Sequence, residues 1–102
     1  MPYCEALAAR VRIVLGPRPD IAEQKMFGGL AFMLRRKVCV GVIREELLVR
    51  VGSARYERAL RHPHARVMDF TGRPMRGYVF VTPPGCLESS SMEGWVAQGL
   101  AC

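Results

Sequence analysis

The stretch Asp69 to Gly77, reading Asp-Phe-Thr-Gly-Arg-Pro-Met-Arg-Gly, gathers one carboxylate, one hydroxyl and two guanidinium groups around Gly72 and Gly77. Arg73 and Arg76 are of the type that forks onto an anion, with Thr71 and the N–H groups of a glycine-rich loop closing round it. The same residues can also satisfy one another, Asp69 pairing with Arg73 or Arg76 while Thr71 bonds to backbone within the turn. Arg50, in the stretch Leu47 to Val51, is counted with Asp69, Thr71, Arg73 and Arg76 as a candidate contact for a ligand or partner. Bond-making chemistry fits less well. Thr71 has no neighbouring base, and no two carboxylates stand at a local spacing suited to acid–base work. No catalytic residue is expected, and a small enzyme would need a site assembled from distant residues.

Other reactive types lead to plainer readings. His62 and His64 flank Pro63, but no carboxylate lies beside them to orient an imidazole, so they are expected as exposed residues in a helix-ending loop. The pair Gly28-Gly29 lacks both the G-x-G-x-x-G spacing and a P-loop lysine, and strand rather than helix is expected after it. Those glycines are expected to serve a tight bend with positive φ or the close approach of another backbone. Cys4, Cys39, Cys86 and Cys102 show no C-x-x-C spacing and no histidine at a zinc-site distance, so neither a metal nor a cofactor is expected. With no export signal, reduced thiols in the cytoplasm follow. Cys39 belongs to a core, and Cys102 is the thiol expected to react first.

The elements that must position these residues are short. With 102 residues, 50% apolar and 24% charged, the chain makes one domain, 1–102, with one modest core. The longest apolar run, Val38 to Ile43, is far below the ~18 residues of a membrane span. Between Tyr3 and Leu15 the positions Cys4, Leu7, Ala8, Val11, Val14 and Leu15 form a helical stripe, which Gly16-Pro17 ends. Strands are expected over 24–27, 30–34, 38–43 and 47–51, with polar turns at Arg35 to Lys37 and Arg44 to Glu46. Ser53 is expected to cap a short helix containing Tyr56, Ala59 and Leu60, which Pro63 halts. Strands over 67–70 and 78–82 follow. Ser90 and Glu93 have the spacing of a capping box, opening a helix with Met92, Trp95, Val96 and Leu100 on one side. The order helix, strands, helix, strands, helix gives an α+β fold: an antiparallel sheet of about five to six strands with helices packed on it in two layers.

Two bulk properties bear on partners. Fifteen basic residues against nine acids leave a net charge of +6 and a pI near 9.7, and 13 of the basic residues are arginines spread from Arg10 to Arg76. That surface suits an anionic ligand, an acidic protein or nucleic acid. The runs Leu30 to Leu34, Val38 to Ile43 and Leu47 to Val49 are apolar at successive positions, so both sheet faces carry apolar side chains. Either the helices divide between the faces, or the second face packs on another copy; a homodimer is the favoured expectation.

The segments Met26-Phe27-Gly28-Gly29-Leu30-Ala31-Phe32, Cys39-Val40-Gly41-Val42 with Leu48-Val49-Arg50-Val51, and Met68 to Tyr78 with its Phe-Thr-Gly-Arg-Pro-Met-Arg-Gly core stand in one chain. Together they resemble the N-terminal domain of the TfoX/Sxy family. The resemblance covers nearly the whole chain and implies that family's two-layer α+β domain. Members that add a C-terminal domain regulate natural competence beside a global transcription activator. The resemblance here is to the N-terminal domain standing alone, which implies a regulatory or interaction module related to transcription, without that competence role. It supplies no catalytic residues.

Overall fold

Short polar turns between apolar runs fold the middle of the chain into hairpins. The structure is a computed structural model and describes residues 3–26, 28–68, 76–83 and 89–101. Strands β1 (Ile21–Met26), β2 (Gly29–Leu34), β3 (Lys37–Ile43) and β4 (Glu46–Arg50) form an antiparallel meander. Strand β6 (Tyr78–Val81) then pairs with β4, and β5 (Ala65–Val67) pairs with the outer side of β6. The sheet order is β1-β2-β3-β4-β6-β5. Helices α1 (Glu5–Leu15), α2 (Tyr56–Leu60) and α3 (Ser89–Ala101) complete the expected α+β order.

All three helices contribute to one core on one sheet face. Leu7, Ala8 and Val11 of α1, Tyr56 and Ala59 of α2, and Met92, Trp95 and Val96 of α3 meet Phe32, Val40, Val42, Leu47, Val49, Val79 and Val81 of the strands. Each fully buried side chain of this size stabilises the fold by about 1.5–3 kcal/mol before chain entropy is counted. The helices therefore do not divide between the faces. On the opposite face Ile43, Leu48, Met68 and Phe80 form a second cluster, buried within the single chain, with Val38 and Tyr78 packed against it.

Several boundaries move from their expected places. Strand β1 starts at Ile21 rather than at 24, because Ile21 pairs with Leu34 and extends the ladder to the end of the hairpin. Lys37 and Glu46 join β3 and β4, which leaves two-residue turns at Arg35-Arg36 and Arg44-Glu45. Strand β5 runs over Ala65–Val67 instead of 67–70, since its register is set by Val81 and Val79 of β6; residues 69 and 70 lie outside the described residues. Neither serine caps as expected. Ser53 sits in the turn before α2, whose N-cap is Arg55 with no side-chain hydrogen bond, and Ser90 is the second residue of α3. Gly16 ends α1 as expected, with φ +69° and its N–H donated to the Arg12 carbonyl oxygen.

Cys39 is buried where the β2–β3 register shifts between Phe32 and Met33. That extra residue is a bulge, and it turns the thiol into the helix-side core. Among the described residues no helix is long and apolar enough to cross a membrane.

Candidate functional site

The sheet brings cations from separate segments to one of its ends. Arg35 and Arg36 form the β2–β3 turn there, with Lys37 opposite Leu34. Arg50, opposite Tyr78, closes β4 at the same end. Arg76 lies two residues before β6, where the Gly77 carbonyl oxygen accepts the N–H groups of Val51 and Gly52 at 2.8 and 3.1 Å. Gly77 has φ +95°, a conformation that L side chains resist.

Arg50 and Arg76 share this end but not one face. Arg50 is half-buried on the helix-free face with Leu48, whereas the Arg76 guanidinium lies 5.4 Å from the ring centre of Tyr56 in the helix-side core. Such a contact between an exposed guanidinium and a ring contributes about 0.5–1 kcal/mol. Asp69, Thr71, Gly72 and Arg73, the rest of the expected loop site, lie outside the described residues.

Carboxylates sort the other arginines. Arg12 makes two bonds of 2.8 Å to Glu23, Arg18 two of 3.0 and 3.1 Å to Asp20, and Arg66 two of 2.7 and 2.6 Å to Glu46 while lying 4.6 Å over the Phe80 ring. The hydrogen bonds from Arg12 and Arg18 hold the Glu23 and Asp20 carboxyls below their ordinary values. Among the described residues no ion pair engages Arg35, Arg36, Arg50 or Arg76.

The β2–β3 turn carries a signal that composition does not show. Arg35 and Arg36 both have positive φ, +54° and +68°, as in the tight hairpin turns that favour Asn-Gly. Each non-glycine residue held there costs on the order of 1 kcal/mol, and nothing in the fold requires arginine at either place. The polar triplet 35–37 between two strand patterns was the readable clue, one residue longer than the turn.

A family model described as the TfoX N-terminal domain matches residues 14–102. The chain belongs to this family. The match runs from the end of α1 through the sheet to α3, so it contains every cation of the site described above. No curated protein and no solved structure matches the chain.

The remaining expected residues of this TfoX N-terminal domain have structural places. Gly28 has φ +71° in the β1–β2 turn, and a Cβ on Gly29 would run into the Val42 carbonyl oxygen and come within 2.9 Å of Ile43 Cγ1. The paired glycines thus make the bend and the backbone approach expected of them. His62 is exposed and His64 half-buried; the His64 N–H donates to His62 Nδ1 at 3.2 Å, and the His62 ring meets Trp95 edge-on at 5.2 Å. Cys39 is a core residue and Cys4 is half-buried before α1, while Cys86 and Cys102 lie outside the described residues.

Proposed function

We propose that this TfoX N-terminal domain is a non-enzymatic, cytoplasmic interaction module of regulatory use that captures an acidic protein partner at the cationic end of its sheet. The observation that carries the reading is the Arg35-Arg36 turn: two arginines at positive φ, exposed and outside every close ion pair among the described residues, Arg35 reaching Asp20 only at longer range, beside Lys37 and Arg50. The hairpin uses the positive φ but favours Asn-Gly for it, so arginine kept at both places points to a working surface. The family is not known as one of enzymes.

The double variant Arg35→Asn/Arg36→Gly tests it. That turn should raise stability by about 1–2 kcal/mol in a chemical melt, since it relieves both positive-φ costs. Co-purification from the native host should lose the acidic protein that the wild type retains. Equal recovery by both forms would sink the reading. A net charge of +6 favours a second reading, nucleic-acid binding. In that case the same pair of proteins would differ in retention of a DNA or RNA probe, with affinity falling steeply as salt rises.

The module is also proposed to be a homodimer, joined through Val38 and Tyr78, half-buried residues against the second apolar cluster, and through half-buried Met33, the register partner of Val38. Light scattering should then give twice 11.4 kDa, and Met33→Glu should return the monomer mass. A wild-type mass of one chain would refute the dimer.

A further inference from the structure

Between α2 and α3 lies a cavity of about 320 Å³, lined by Arg55, Arg58, Ala59 and His62 on one wall and by Ser90, Ser91, Gly94, Trp95 and Gln98 on the other. We infer that it binds a phosphate monoester group of a small molecule, held by the guanidinium groups of Arg55 and Arg58 and bordered by the hydroxyls of Ser90 and Ser91. This site is separate from the cationic end of the sheet and does not depend on the function proposed for that end.

Local geometry builds the cationic wall. Arg55 and Arg61 flank α2 with helical backbone angles, so the turn of helix extends beyond Tyr56–Leu60 at both ends. Residues 55, 58, 59 and 62 then fall on one face, which gathers two guanidiniums and an imidazole over the cavity. Among the described residues no carboxylate lines it, none occupies the first turn of α3, and no ion pair engages Arg55 or Arg58. Arg55, Arg58, His62, Ser90 and Ser91 are exposed, so the depression opens to solvent over Ala59 and Trp95, and its cationic lining is electrostatically complementary to an oxyanion with more than one acceptor oxygen. Its size is at the lower end for small-ligand pockets, which suits a compact phosphorylated molecule.

Gly94 is the independent sign. It stands inside α3, where glycine costs about 1 kcal/mol relative to alanine, and it borders the cavity. A Cβ there would meet nothing within 4 Å, so packing does not require the glycine. The contrast is Gly99 in the same helix, where a Cβ would come within 2.5 Å of the Cys39 carbonyl oxygen. Glycine at 94 keeps open the space that a bound group would fill.

Trp95 supplies the readout. It is the one tryptophan of the chain and lines the cavity, in edge contact with His62. Purified protein is titrated at constant ionic strength with inorganic phosphate, O-phosphoserine and ribose 5-phosphate, and with serine and ribose, while tryptophan emission is followed. The phosphorylated small molecules should give a saturable change with Kd of about 1 mM or tighter, and the unphosphorylated ones none. A response to inorganic phosphate that matches the esters would identify the free anion as the source of the recognised chemistry. Arg55→Gln/Arg58→Gln should weaken binding at least about tenfold. Gly94→Leu should abolish it while keeping or raising the melting temperature, which separates loss of the site from loss of the fold. Absence of a saturable response in the wild type, or an unchanged Kd in both variants, would overturn the assignment.

Discussion

Replacement of Phe32 by alanine is expected to lower the unfolding free energy by about 4 kcal/mol, the upper range for deleting a buried aromatic ring. Phe32 is 1% exposed and stands mid-sheet, facing Glu23 of β1 on one side and Val40 of β3 on the other. Strand ladders on both flanks hold the backbone in place, and the neighbouring bulge at Cys39 already fixes a local irregularity, so the walls cannot close on the void. A chain of this length has on the order of 5–15 kcal/mol in total, so the loss takes a large share of it. A calorimetric melt should fall by roughly 20 °C. Ile13, 79% exposed on α1, is the control: Ile13→Ala should change stability by no more than about 0.5 kcal/mol. If Phe32→Ala melts close to the wild type, the helix-side core is not the principal source of stability.

Gly29→Ala is expected to cost about 3 kcal/mol, from a different cause. The added methyl would press on the Val42 carbonyl oxygen and on Ile43, both of β3, and neither can retreat without breaking the strand. Overpacking against backbone is dearer than against a flexible side chain, because no rotamer change relieves it. Gly28→Ala separates the two glycine roles. It meets open space but keeps φ +71°, so it should cost about 1 kcal/mol. Urea titrations of both variants check the ranking, and a Gly28→Ala loss equal to or above that of Gly29→Ala would contradict the close approach. A loss at Gly29 would also show that the Met26 to Phe32 segment, which carries part of the family likeness, owes its glycines to packing rather than to an anion.

Most of the fold was legible because its cues are local. Apolar steps of three and four residues marked α1 and α3, Gly16 marked where α1 ends, and the polar triplets 35–37 and 44–46 marked the hairpins, each one residue longer than the turn itself. Such cues act over a few residues, where backbone preference and side-chain period are enough. The caps failed because serine before a helix is a weak cue: Arg55 rather than Ser53 stands at the start of α2, and Ser90 lies inside α3.

The site was less legible. Arg50 and Arg76 were singled out as one group, and the fold sends them to opposite faces. The α2–α3 cavity went unread because Arg58 and Ser90 are far apart in sequence and meet only after β5 and β6 are in place. Local sequence settled which segments are helix and strand and how the meander turns. Tertiary packing alone decided that β6 enters between β4 and β5, that every helix takes one face, and that Arg12 finds Glu23 and Arg66 finds Glu46. These depend on register between distant strands, and register is a property of the packed whole.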